Sequence, residues 1–236
     1  MPAYEILTRE RHANLRVIPG PRAVFGNDVG LVSVVPREFA ALVTYFPMVI
    51  RKNGQTGQFE PGALLGLKVD ENLYLDGDNW LAPYTPLEFV RQPFKYATGD
   101  DGEAALVIDR ESPRVSNAEG ERLFLAAGHR SDYLEMIRSV MNELAAGTEA
   151  AHAFTAALAA HDLIVPMPLT LDVAGHPFTL DGLYTVDRAR LQAVPSDDVA
   201  ELHARGYLEL AHYQQASLGH IRELVRRKAR RLAQAG

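Results

Sequence analysis

The spacing of apolar residues changes character once along this chain, near its middle. Through the first half they come in short runs bounded by turn residues, which predicts strands over Leu15–Ile18, Val29–Val35 and Met48–Arg51. The Asn53-Gly54 pair that follows is a strong hairpin signal. Between the second and third runs, Arg37–Phe46 reads as a short helix started by Pro36 and stopped by Pro47. Phe39, Leu42, Val43 and Phe46 share one face of it. Phe59, Leu64, Leu65, Leu67 and Val69 continue the apolar supply. Phe89–Ala97 and Ala104–Ile108 then read as extended segments joined by a turn, GDDGE, at 99–103.

A polar connector occupies 109–124, and beyond it the period becomes helical. Ser131 can cap a helix running to about Ala146, with Leu134, Ile137, Met141 and Leu144 on one stripe. Gly147 reads as its stop and Thr148 as the cap of a second helix, with Phe154 and Leu158 facing inward. Pro166 and Pro168 break the pattern. LTLDV at 169–173 and FTLDGLYTV at 178–186 resemble a hairpin followed by a further turn. Short helices are expected over Asp187–Val194 and Asp197–Ala204, and one long C-terminal helix after Gly206. No βαβ alternation appears, so a doubly wound sheet is not expected. The reading is a single α+β domain over 1–236, with a mixed or antiparallel β-rich N-terminal half against a mainly helical C-terminal half. The halves would meet near 110–130.

Composition narrows the chemistry. The formal charge of -6 opposes general nucleic-acid binding, which needs Lys and Arg to offset phosphates. With no cysteine there is no disulfide, thiolate nucleophile or Cys-ligated metal. The first twenty residues mix acids and arginines without an apolar core, so no secretory signal is expected and the cytoplasm is the expected compartment. The longest apolar runs, such as LVSVV at 31–35, are far short of the roughly 18–20 residues that span a bilayer. The chain is expected not to be transmembrane.

The stretch NLYLDGDNW at 72–80 holds two acids, a glycine and the single tryptophan. A calcium loop needs oxygen ligands at positions 1, 3 and 5 and a glycine at 6. Counted from Asp70, position 5 is Tyr74; counted from Asp76, it is Trp80. Neither register works, and Asp76-Gly77 reads as a turn whose aspartate accepts backbone N–H bonds. No H-E-x-x-H, G-x-S-x-G, G-x-G-x-x-G or P-loop motif is present. His212 and His220 fall about 80° apart on a helix, without the i, i+4 spacing of a helical metal site. His161 suits a helix C-terminus. Asp109, after a strand, is a lone candidate acid. No metal and no cofactor are expected.

Aromatic residues dominate what remains. Tyr74, Trp80, Tyr84, Phe89, Phe94 and Tyr96 lie close together in sequence, near Arg91 and Lys95. Such a set either fills a core or lines a cleft for a peptide, sugar or aromatic ligand, with arginine available for a carboxylate or for stacking. The candidate ligand-binding residues are therefore Tyr74, Trp80, Tyr84, Arg91 and Phe94. The basic run from Arg222 to Arg231 carries six Arg or Lys against one Glu. It is either a solvated helix end or a contact surface for an acidic protein partner, an anionic membrane surface or nucleic acid.

An ordered set of blocks resembles the bacterial SapC family nearly end to end. These are HANLRVIPG at 12–20, VPREFAALVTYFPMVIRK at 35–52, GQFEPGALLGL at 57–67 and ENLYLDGDNWLAPYTPLEFVRQPF at 71–94. LVIDRESPRVS at 106–116, LDGLYTVDRARL at 180–191 and ELHARGYLELAHYQQASLGHIREL at 201–224 complete it. The resemblance implies a link to a paracrystalline surface layer, hence a cell-surface location. It also implies gene neighbourhoods with flavin-dependent tryptophan halogenases and TonB-dependent receptors. It brings no catalytic residues. This chain carries no Gly/Asp-rich repeat of the exported type, which sets it apart from a structural layer component. The functional expectation is a non-enzymatic binding or accessory protein for a peptide or aromatic ligand in a surface- or uptake-related system. The alternatives are an enzyme or a halogenase- or oxygenase-linked accessory acting on a peptide or aromatic substrate, with Asp76, Asp78, Asp109 and His176 meeting in one cleft or binding a metal, and a structural surface-layer component.

Overall fold

The computed structural model describes residues 2–98, 104–126 and 128–235. Its main sheet is antiparallel throughout, in the order Ile164–Pro166, Leu183–Val186, Met48–Lys52, Phe59–Leu64 and Leu31–Ser33. Two of the five strands thus come from the later, mainly helical part of the chain. A second sheet orders Tyr4–Ile6, Ala104–Asp109 and Phe94–Thr98. Thr98 and Ala104 face each other at its end, while the predicted turn at 99–103 lies outside the described residues. The connector at 109–124 is more ordered than its polarity suggests. Val115–Ser116 and Glu121–Arg122 flank Arg16–Val17 on either side, and Leu123 and Phe124 beyond them are buried. The architecture is α+β, with strands concentrated in the first part and four helices after residue 187 among the described residues.

Two hydrophobic cores result. The larger gathers Phe39, Leu42, Phe46, Met48, Ile50 and Leu64 under helices contributed by the C-terminal region. The smaller gathers Leu15, Val17, Phe94, Ile108, Leu123 and Phe124. One helix, Asp132–Ala160, serves both: Leu134, Ile137 and Met141 enter the smaller core, Phe154 and Leu158 the larger. At 1.5 Å per residue its 29 residues reach about 43 Å, long enough to touch both. Ser131 caps it by accepting from the Leu134 N–H at 3.2 Å.

Three elements differ from their sequence reading, each for a physical reason. The helix does not stop at Gly147. A Cβ there would lie 2.6 Å from Val35 Cβ, so the glycine exists to let the chain at Val35 approach. Thr148 turns its hydroxyl back onto Leu144 O at 2.8 Å instead of capping a new helix. Phe89–Ala97 is not one extended run: Leu87–Val90 forms a helical turn, and the strand begins at Phe94 after Pro93, which has no N–H to donate. The C-terminal helix is broken into Tyr207–Ser217 and Ile221–Ala235 by a tighter turn over 218–220. Ser217 at the break accepts from the Met48 N–H at 2.8 Å, which ties the bend to the start of a central strand. Among the described residues, no helix is long and apolar enough to cross a membrane.

Gly147→Ala should destabilise the protein. Helix propensity alone favours alanine by about 1 kcal/mol, but overpacking against stiff, β-branched Val35 costs about 1–3 kcal/mol. Urea unfolding should show a net loss that is largely recovered in the Gly147→Ala/Val35→Ala double variant.

Candidate functional site

The loop carrying Asn72–Trp80 is held from both sides. Glu71 is buried and accepts from the Leu67 N–H at 3.1 Å, and its other oxygen pairs with Lys228 of the C-terminal helix. The two side chains keep only 8% and 7% of their surface exposed, so both charges have left water together. One turn on, Arg231 donates to Asn72 O at 3.1 Å and to Leu75 O at 2.6 Å. Arg227 lies over the Tyr74 ring at 4.5 Å. Half of the basic run therefore works inside the molecule, leaving Arg222, Arg226 and Arg230 exposed on the other face. The Asx turn is supplied by Asn72, whose Oδ1 accepts from the Tyr74 N–H at 2.9 Å. Gly77 turns the tip with φ 57°, while exposed Asp78 stands 3.5 Å from Arg22.

This support places the aromatic residues. Tyr74 is 1% exposed, packs on Phe46 at 4.7 Å and donates its hydroxyl proton to Tyr45 O at 2.9 Å. Trp80, half-buried, stacks on Phe46 at 6.0 Å and meets Phe89 edge-on at 5.9 Å. Its Nε1–H donates to Tyr84 O at 2.9 Å. Tyr84 in turn donates to Glu38 at 3.0 Å. The structure thus joins Tyr74 and Trp80 on Phe46, with Tyr84 bonded to Trp80, and places Phe94 in the other core.

Glu38 is the acid at the root of this assembly. It is 2% exposed, and besides Tyr84 its oxygens accept from Leu87 N–H at 2.8 Å and Val35 N–H at 3.0 Å. Burial pushes its carboxyl above the ordinary glutamate value, the three hydrogen bonds oppose that rise, and Glu143 adds to it. The same burial and the neighbouring carboxylate raise the Tyr84 phenol strongly. Nothing in the sequence around Glu38 distinguishes it except Pro36, which starts the tight turn carrying it.

Arg91 behaves differently from the aromatic residues. It donates to Glu88 Oε2 at 2.8 Å and to Phe94 O at 2.7 Å, and its remaining surface faces two openings. One is a groove of about 390 Å³ between the long helix and the ends of two main-sheet strands. Its floor is apolar, from Val34, Val35, Pro61, Met141 and Leu144, and its rim carries Glu60, Glu88, Lys95 and His152 beside Arg91. Sequence spacing conceals this groove. Met141 and Leu144 read as core, and the break expected at Gly147 separates them from Thr148 and His152, which continue the same wall.

The remaining candidate groups stay apart. Asp109 Oδ1 accepts from Ala3 N–H at 2.8 Å and Glu111 N–H at 3.2 Å, pinning the first strand. His176 and His212 are exposed on separate elements, and His220 bonds Val43 O at 2.9 Å. Among the described residues, no three His, Asp or Glu side chains converge as a metal site would require.

The family model described as SapC matches residues 7–224, most of the chain, and the chain belongs to the SapC family. No curated protein and no solved structure matches it.

Two measurements test the supports of this region. Lys228→Met strands a buried carboxylate and should cost about 3–5 kcal/mol in urea unfolding, with part recovered by adding Glu71→Gln. For Glu38 the folded pKa lies above the unfolded value of 4.5, so the folded state holds the extra proton. Its contribution is complete below about pH 4.5 and is lost as pH rises through the folded pKa. The difference in unfolding free energy between wild type and Glu38→Gln should change in that window and be flat above it.

Proposed function

We propose that this protein is a non-enzymatic binding or accessory protein that takes a peptide segment in the groove beside the long helix. The observation that carries this reading is the make-up of that groove: an apolar floor, with both signs of charge on its rim. A peptide offers apolar side chains for such a floor and charged groups of either sign for such a rim. The edge strand Leu31–Ser33 runs into the groove through Ser33, Val34 and Val35, which adds main-chain groups to its wall. A flat aromatic ligand is the less favoured occupant, because Tyr74, Trp80 and Phe89 are engaged with one another and with Phe46.

Acid–base catalysis has less support. Glu38, the carboxyl most removed from water around the loop, already has three protein donors on its two oxygens. The exposed arginines of the C-terminal helix supply a second contact surface in this proposal, suited to an acidic protein partner.

A phage-displayed peptide library panned on the protein tests the groove. Enriched peptides, labelled and followed by fluorescence polarisation, should bind Ala145→Trp at least tenfold more weakly than wild type. Ala145 is exposed on the groove wall. Ala146→Trp, exposed on the same helix but outside the groove, should bind like wild type. No enrichment over an unrelated protein, or equal binding by both variants, would remove the groove from the proposal.

A further inference from the structure

A second opening, of about 490 Å³, lies across Arg91 from the groove. Its walls include Tyr4, Phe25, Pro93, Glu111 and Arg114. Arg114 is 1% exposed, yet among the described residues no carboxylate pairs with it. Its partners are neutral oxygens: Gly20 O at 2.5 Å, Ile18 O at 3.3 Å, Gln92 Oε1 at 3.2 Å and the side chain of Asn27. These occupy both terminal nitrogens, while the Nε–H has no acceptor among the described residues. A buried guanidinium normally has a carboxylate or phosphate to balance it. Here neutral oxygens and the Phe25 ring, 4.4 Å from the guanidinium carbon, take that place.

Burial pulls the Arg114 guanidinium down to about 10; the Tyr133 phenol opposes this and the Arg22 guanidinium adds to it. Neither acid of the cavity is hydrogen-bonded or ion-paired to it. Asp109 is turned to backbone N–H groups, and Glu111 is exposed with no ion-pair partner among the described residues. The cavity thus presents the buried cation Arg114 with Arg91 beside it, the exposed and unpaired carboxylate of Glu111, and the side chains of Phe25, Tyr4 and Pro93. A simple anion would meet repulsion from Glu111. A simple amine would leave Arg114 unbalanced. A zwitterion satisfies both.

We propose that this cavity binds a free α-amino acid, its carboxylate on Arg114, its ammonium on Glu111 and its side chain against the Phe25 and Tyr4 rings. This site is independent of the peptide groove, since only Arg91 borders both. Binding in this mode uses both charges of the ligand and favours an apolar side chain.

Isothermal titration with L-leucine and L-phenylalanine, with glycine, N-acetyl-leucine and leucinamide as comparisons, tests it. Leucine and phenylalanine should bind at one site, and glycine, N-acetyl-leucine and leucinamide each at least tenfold more weakly. Amide shifts on adding leucine should centre on 110–115. Glu111→Gln alters only an exposed side chain and should weaken leucine at least fivefold without changing the fold. Arg114→Gln should abolish binding; if it fails to fold, Glu111→Gln and leucinamide decide. No binding of leucine or phenylalanine at 10 mM, leucinamide binding as tightly as leucine, or Glu111→Gln binding like wild type would each overturn the proposal.

Discussion

The buried pair between Glu71 and Lys228 is the constraint on which the arrangement of the larger core rests. Two charges held away from water are tolerable only if they face each other and their remaining hydrogen-bonding capacity is used. Glu71 meets the second condition by taking the Leu67 N–H. That bond curls the chain between 66 and 71 so tightly that a Cβ at Gly66 would lie 2.0 Å from Glu71 O. Once the loop is fixed there, Arg231 takes the carbonyls of Asn72 and Leu75, and Tyr74 is set beneath Arg227. The C-terminal helix is therefore bound by charge-assisted hydrogen bonds along one face as well as by Leu224 in the core. Positions follow outward: Tyr74 holds Phe46, Phe46 holds Trp80, Trp80 bonds Tyr84, and Tyr84 bonds Glu38.

The smaller core has its own polar centre, built on the opposite principle. Arg114 is surrounded by neutral acceptors from three separate segments, so it gathers residues 18–20, Asn27 and Gln92 by hydrogen bonding without a counter-charge among the described residues. Asn27 also donates to Gln92 at 2.8 Å and accepts from Arg22 N–H at 3.1 Å, and its carbonyl takes the Asn72 side chain at 2.9 Å. That last bond joins the two polar centres. Together with the long helix it makes the two cores share both a polar and an apolar connection.

Much of the fold is legible in the sequence because period and punctuation agree. The strand at Met48, the hairpin through Ala174-Gly175 and the helix after Ser131 all combine apolar spacing with suitable turn or cap residues. Apart from Phe89–Ala97, where Pro93 decides locally, the misreadings share one cause: a local signal belongs to a distant contact. Gly147 looks like a helix stop because glycine stops helices, but it answers to Val35, more than a hundred residues earlier. Ser217 breaks the C-terminal helix by bonding Met48. Lys228 looks like one of a solvated run because its partner, Glu71, lies on the far side of the sequence. No window on the chain holds both members of these pairs.

Side-chain chemistry separates the five binding residues expected from the sequence. An aromatic side chain is drawn into whatever apolar space the fold encloses, and burying it satisfies both the ring and the core. Tyr74 and Phe94 are consumed in this way, and Trp80 and Tyr84 in large part, with their polar atoms bonded to Tyr45 O, Tyr84 O and Glu38. A guanidinium resists that fate unless oxygen atoms surround it. Arg91 finds Glu88 and Phe94 O on one side and stays at the surface on the other, so it alone of the five borders both openings. Arg114 finds enough neutral oxygen to be enclosed and keeps its charge as a demand on the cavity beside it. In a protein whose aromatic residues are largely occupied with its own core, the arginines are the better guide to where a ligand can bind.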